Sequence, residues 1–180
     1  MNLAQQYHQH NPHAGVGKQY DYLYTKLKDK HPHHSILDYG SGQGGTAEWL
    51  KQTLDLDVAC YDPGVERYNT PEIVEDRYWD YVYSADVLEH IPLEELKQHT
   101  LPLLANTIRD ELYLIIDLTP AKKQLPDGTN AHITLLTADE WIKLLSEYLK
   151  VHETTTVEQP DKTYGTRTRL CVTARRSRKQ

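Results

Sequence analysis

Apolar and polar positions along this 180-residue chain alternate between strand-like runs and helical periods, in an order that predicts most of its elements. Residues 18–30 place Tyr20, Leu23, Tyr24 and Leu27 at helical spacing, and Pro32 ends that pattern. Ile36 and Leu37 then run as a strand into Asp38, and residues 46–54 turn Ala47, Leu50 and Leu54 to one helical face. Residues 57–61 and 81–84 read as further strands, and Pro92 opens a helix that extends to Ile108. ELYLIIDL, residues 111–118, is the most apolar run and has the continuous hydrophobicity of a central parallel strand. Thr137 precedes the acidic pair Asp139 and Glu140, which marks the start of a helix over residues 141–148. The threonine-rich runs VHETTTVE and TRTRLCVTA alternate and are joined by QPDKTYG, so they predict an antiparallel pair at a sheet edge. Strands alternating with helices and closing on such a pair give a three-layer α/β/α domain with a mostly parallel sheet. Its length makes the whole chain, residues 1–180, one domain. Residues 1–17 show no sustained period and read as an irregular arm, while residues 63–80 are polar and leave at most a stub of strand around Ile73 and Val74.

The stretch between the first strand and the first crossover helix carries the argument from fold to ligand. In SILDYGSGQGGT, residues 35–46, Gly40, Gly42, Gly44 and Gly45 allow a sharp turn and a close backbone approach to a bound molecule. Gly40, Gly42 and Gly45 satisfy the G-x-G-x-x-G spacing of a dinucleotide site, where a pyrophosphate sits on a helix N-terminus. Asp38 argues against that ligand. A carboxylate two residues ahead of the first glycine repels a diphosphate but suits the ammonium and sulfonium charges of S-adenosylmethionine. Asp62, ending the run DVACYD, stands where a carboxylate takes both ribose hydroxyls, a role common to both cofactor classes.

ILDYGSGQGG, then CYDP, then YVYSADVLEHIP resemble, in order and spacing, the motifs of class I S-adenosylmethionine-dependent methyltransferases, and the resemblance extends from Ser35 to the C-terminus. It implies a Rossmann-like fold with strand order 3-2-1-4-5-7-6, the third strand being reduced here. It further implies that Asp38, Tyr39, Gly40, Ser41, Gly42, Asp62, Pro63, Ser84 and Asp86 line an S-adenosyl-L-methionine site. In resembling enzymes the leading segment often closes over the cofactor, which makes Tyr7, Lys18 and Tyr20 candidate contacts to its carboxylate end. Asp38, Asp62, Ser84 and Asp117 all fall at strand ends, on the rim where ligands of such sheets bind.

Methyl transfer from a sulfonium is an in-line displacement, so alignment of donor and acceptor carries much of the chemistry. A hydroxyl acceptor also needs a base or a metal to help remove its proton. Asp86, Glu89 and His90 are spaced so that a helical turn brings them to one side, and His132 lies in the long connection after residue 118. D-x-x-E-H with a distant His and then a Trp-bearing helix is similar to the E-x-x-E-H pattern of certain metal-dependent O-methyltransferases. Among these are ubiquinone-pathway enzymes and the small-RNA 3′-end 2′-O-methyltransferases. Carried over by position, the resemblance makes Asp86, Glu89, His90 and His132 ligands of a divalent ion, Mg2+ or Mn2+, with Asp86 one methylene shorter than the family's glutamate. Many methyltransferases carry D-x-L-E-H-I without a metal, and there the His orients the substrate or serves as base. Glu89, His90 and His132 are thus candidate catalytic residues, with structural roles also open, such as His132 anchoring its loop to a carbonyl. PAKKQLPDGTNAHI is similar to a loop of small bacterial and phage-type methyltransferases, and Lys122, Lys123 and Asn130 are candidates for a polar lid over a hydroxylated acceptor.

Charge and composition narrow the partners. With 26 acidic and 20 basic residues the net charge is −6, so nucleic acid is not an expected partner despite the basic tail RRSRKQ. Cys60 and Cys171 lie inside strand-like runs rather than in a C-x-x-C pair, as buried thiols of a reducing compartment do. The first residues lack the apolar core of a signal peptide and no apolar run nears spanning length, so a soluble cytoplasmic protein without membrane partners is expected. His8, His10 and His13, like His31, His33 and His34, read as solvated rather than as ligands. The expectation is therefore a methyltransferase acting on a small oxygen-bearing acceptor, its oligomeric state unspecified. The alternatives are an RNA 2′-O-methyltransferase, a cofactor-binding module without catalysis and, last, a nicotinamide-dependent oxidoreductase.

Overall fold

The computed structural model describes residues 20–177. Its elements are α1 (Asp21–Leu27), β1 (Ile36–Tyr39), α2 (Gly45–Leu54), β2 (Val58–Tyr61), α3 (Glu72–Glu75) and β3 (Trp79–Ala85). They continue with α4 (Leu93–Glu95), α5 (Leu101–Thr107), β4 (Ile108–Asp117), α6 (Ala138–Ser146), β5 (Leu149–Asp161) and β6 (Gly165–Arg176). The six strands lie in the order β2-β1-β3-β4-β6-β5, parallel from β2 to β4, with β6 antiparallel to both β4 and β5. This is the implied order without its outermost strand.

The stub of strand expected at Ile73 and Val74 is instead the helical turn α3. Pro71 holds φ at −55° and starts the turn, and Val74 is buried. Side chains rather than a strand take up the backbone carbonyls: the Trp79 indole N–H donates to Ile73 O at 2.8 Å, and Thr107 Oγ1 donates to Val74 O at 2.9 Å. The helix expected over residues 92–108 is also not continuous, because a π turn at Leu96–Thr100 separates α4 from α5. Pro102 follows that turn, where it lacks the N–H for an i→i−4 bond and its ring crowds the preceding turn, and the wider turn relieves both.

Alternation along the strands divides the core in two. Leu37, Val82, Leu112, Leu114, Ile116, Leu170 and Val172 face Leu96, Leu101, Leu104, Trp141 and Leu145 from the helices on one side. Ile36, Tyr81, Tyr83, Tyr113, Ile115 and Cys171 face Leu23, Leu27 and Leu50 of α1 and α2 on the other. The buried tyrosines thus cluster on one face, where Tyr81 stacks on Tyr113 at 6.1 Å. Their hydroxyls reach polar partners at the sheet's ends, Tyr83 to Asp38 and Tyr113 to Glu111, which phenylalanine could not do. Thr137 caps α6 in a complete capping box with Glu140, an arrangement that contributes about 1 kcal/mol.

The β5–β6 hairpin outruns its neighbour. The last β4–β6 pair is Asp117 with Arg169, whereas β5 and β6 continue pairing to Asp161 and Gly165. A two-stranded arm therefore projects past the carboxyl edge of the sheet. Tyr164 OH donates to Ala121 O at 3.1 Å and Lys122 pairs with Asp161 at 2.8 Å, tying the arm's tip to the connection between β4 and α6. Cys60 is half-buried and Cys171 buried, and burial pushes both thiols up to about 11. No helix among the described residues is long and apolar enough to cross a membrane. The expectations for residues 1–19, including Tyr7, Lys18, His8, His10 and His13, and for the end of the basic tail lie outside the described residues.

Candidate functional site

Both halves of the candidate site lie at the carboxyl edge of the sheet. On the β1–β2 side the chain leaves Asp38 and Tyr39 and turns through Gly40 and Gly44 at φ +79° and +78°. A Cβ on Gly40 would stand 2.5 Å from Val87, and one on Gly44 would stand 2.6 Å from the Tyr68 hydroxyl. Both conformation and space therefore demand glycine. Asp62, buried after β2, accepts from the backbone N–H groups of Gly42 and Gly64, each at 2.8 Å. Gly40 and Ser41 donate to Tyr61 O, so the turn hangs from the end of β2. Tyr39 packs on Tyr61 at 5.4 Å, and Pro63 follows half-buried.

Asp38 points to the tyrosine face, where Tyr83 OH donates to it at 2.9 Å. Burial pushes its carboxyl up to about 7, the Tyr83 hydrogen bond opposes this, and the nearby Asp62 charge adds to it. A buried carboxylate in this state gains from a cation brought beside it, so the donor set fits a sulfonium or ammonium ligand. Ser84 Oγ, at the end of β3, is buried with no hydrogen-bond partner among the described residues, and Ser41 is buried in the glycine turn.

On the β3–β4 side the chain leaves β3 through Asp86, a non-glycine residue at φ +54° whose N–H donates to Ile115 O. A 3-10 turn, Leu88–His90, then buries Glu89 completely. Glu89 Oε1 accepts from the Asp117 N–H at 3.1 Å, while Oε2 is buried without a hydrogen-bond partner among the described residues. Burial holds the Glu89 carboxyl well above its usual range, and the Asp86 charge pushes the same way. His90 Nδ1 lies 2.7 Å from Ala131 O, and His132 Nδ1 lies 2.5 Å from Thr119 O. A carbonyl oxygen only accepts, so each Nδ1 carries a proton, and in the neutral ring the lone pair is on Nε2. The two rings meet edge to face at 4.7 Å. Ligand atoms of Glu89, His90 and His132 lie within 4.8 Å of one another. Imidazoles oriented by an Nδ1–H bond to a backbone carbonyl are the usual form of metal-ligating histidines.

The fold does not gather all four residues of the D-x-x-E-H and distant-His pattern. A left-handed residue followed by a 3-10 turn replaces the expected helical turn, so Asp86 groups with Glu89 and Asp117 rather than with the histidines. Arg169 on β6 binds Asp86 with both ends of its fork, Nε to Oδ1 at 2.9 Å and Nη2 to Oδ2 at 3.2 Å. Tyr20, expected at the cofactor's carboxylate end, also donates to Asp86 Oδ2 at 3.1 Å. Arg167 Nε stands 2.6 Å from Asp117 Oδ2, but no aligned hydrogen bond forms and the contact is electrostatic. The reading of TRTRLCVTA as a strand did not anticipate either arginine. The signal was there: Arg167 and Arg169 share the alternation phase of Cys171, which places cations on an inward face. Asn130 staples its loop, bonding both backbone groups of Ala121 and accepting from the His132 N–H, each at 2.9 Å. Lys122 is held by Asp161, and Lys123 is exposed.

No protein-family model matches the sequence, and no curated protein is detectably similar to it. Solved structures do match. TehB from Haemophilus influenzae aligns with a TM-score of 0.63 at 14% identity, over 97% of this chain and 67% of that one. A SAM-dependent methyltransferase from Methanosarcina mazei aligns with a TM-score of 0.62 at 12% identity, over 87% of this chain and 97% of that one. A geranyl diphosphate C-methyltransferase from Streptomyces coelicolor, solved with Mg2+, geranyl diphosphate and S-adenosyl-L-homocysteine, gives 0.58 at 14% identity, over 87% and 79%. These likenesses establish the fold, which is the Rossmann-like fold of class I methyltransferases.

Proposed function

We propose that this protein is an S-adenosylmethionine-dependent methyltransferase that methylates an oxygen of a small hydroxylated acceptor, assisted by Mg2+ or Mn2+ held by Glu89, His90 and His132. The observation that carries the metal-assisted reading is the convergence of ligand atoms of those three side chains within 4.8 Å of one another, with each imidazole oriented by an Nδ1 bond to a backbone carbonyl. Three protein ligands leave coordination positions open, as catalytic rather than structural sites do. A cation there would lower the pKa of an acceptor hydroxyl.

The chain's own residues supply the rest. Asp38 faces the cofactor's positive charge, Asp62 and the glycine turn hold its ribose, and Asn130 fixes the loop that carries His132. The net charge of −6 favours a small acceptor over RNA. S-adenosylhomocysteine titrations, with Mn2+ and with a chelator, test this reading together with methyl-transfer assays on hydroxylated acceptors. Cofactor binding in both conditions with transfer lost only under chelator is expected. Transfer that survives the chelator would hand proton removal to a histidine or to alignment alone, and transfer only to RNA would replace the acceptor class. Absence of cofactor binding would overturn the whole reading.

A further inference from the structure

The carboxylates of Asp86, Glu89 and Asp117 come within 4.8 Å of one another beneath β6, and one of them, Glu89, also belongs to the group with His90 and His132. Three converging acids, with a buried Glu89 Oε2 that has no hydrogen-bond partner among the described residues, make a cation site by composition. Arg169 lies there already. Its guanidinium grips Asp86 with two hydrogen bonds, stands 3.8 Å from Asp117 Oδ2, and is fixed on its third side by Nη1 donating to Gln159 Oε1 at 2.7 Å. The neighbouring acids hold its charge firmly in place, against the burial that opposes it.

We propose that Arg169 is a built-in cation that selects the metal ligands: it withholds Asp86 and Asp117, and so limits the site to a single divalent ion on Glu89, His90 and His132. This inference rests on the proposed metal site for the single-ion part, while the occupancy of the acidic group by Arg169 stands on its own geometry. Paired sites of the two-metal kind hold ions about 4 Å apart across a shared carboxylate, and Glu89 is placed to be that carboxylate. A guanidinium in the second position prevents it. Arg169 is accordingly a positioning residue, and metal stoichiometry is the property it sets.

Mn2+ titration followed by electron paramagnetic resonance tests this on the full chain. Wild type should bind one Mn2+, and Arg169→Gln should bind one more, with the spin coupling of a close ion pair. Arg169→Lys keeps a charge in place and should retain the wild-type stoichiometry, whereas Asp86→Asn combined with Arg169→Gln should abolish the gain. Asp86→Asn alone should leave wild-type Mn2+ affinity within about threefold, because Asp86 is not a ligand; this arm serves even when Arg169→Gln does not fold. A wild type that binds no Mn2+ while Arg169→Gln binds one would sink the proposed metal site and leave the role of Arg169 standing. An Arg169→Gln protein with unchanged stoichiometry overturns the inference, as does a loss of tenfold or more in Mn2+ affinity on Asp86→Asn alone.

Discussion

The two halves of the site are built in opposite ways. On the β1–β2 side, the glycine turn and Asp62 are bonded within a short stretch: the Gly42–Asp62 bond spans 20 positions, and the turn's shape is dictated by residues without side chains, while Asp38 reaches to Tyr83, 45 positions on. On the β3–β4 side, Asp86 meets Arg169 from 83 positions away and Tyr20 from 66, and His90 meets Ala131 from 41. The first half is largely a backbone device, its turn fixed by bonds between near neighbours in sequence. The second exists only once β4 has paired with β6 and the 119–137 connection has folded back.

Substitutions that act on one half and spare the other test that division. The largest effect should come from Gly40→Ala. A left-handed residue carrying a Cβ, 2.5 Å from Val87, should cost about 2–4 kcal/mol in denaturant unfolding and abolish S-adenosylhomocysteine binding. Intact cofactor binding in that variant would contradict the turn's role. His132→Ala should do the reverse: Mn2+ affinity should fall by roughly 100-fold, comparing removal of a ligand with loss of its supporting bonds, while calorimetry shows near-unchanged affinity for S-adenosylhomocysteine.

A pH dependence belongs to the cofactor half. The Asp38 carboxyl is raised in the folded protein from 3.8 to about 7, so the folded state holds this proton more tightly than the unfolded chain does. Its contribution to the stability of the cofactor-free protein is therefore greatest below about pH 4 and declines as pH rises towards 7. A cationic ligand favours the carboxylate, so below pH 7 binding should release a proton, and affinity should weaken by up to about tenfold per pH unit. Titrations in buffers of different ionisation enthalpy would detect that proton. Tyr83→Phe removes the hydrogen bond that opposes the shift, and should move the midpoint of this dependence to higher pH. The smallest effect is expected at the arm's tip, where Tyr164→Phe removes one half-exposed hydrogen bond and should change stability by less than about 1 kcal/mol.

Legibility in the sequence followed the same division. Strand β1, helix α2, the Thr137 cap and the terminal hairpin could be read because each is signalled by residues within one or two turns of itself. The π turn before Pro102 and the helix in place of a third strand were not legible, since both depend on how a proline and Trp79 satisfy backbone groups in three dimensions. The D-x-x-E-H spacing showed that acids and a histidine cluster after β3. It could not show that Asp86 takes a left-handed conformation and turns to Arg169.

By itself the sequence determined the layered sheet, the glycine turn and the carboxylates at the strand ends, because hydrophobic period and glycine conformational freedom act over a few residues. Only the tertiary structure decided which acids share a site with which cations. Electrostatic energy depends on distance in space rather than along the chain, and the distances here are set by the pairing of β4 with β6.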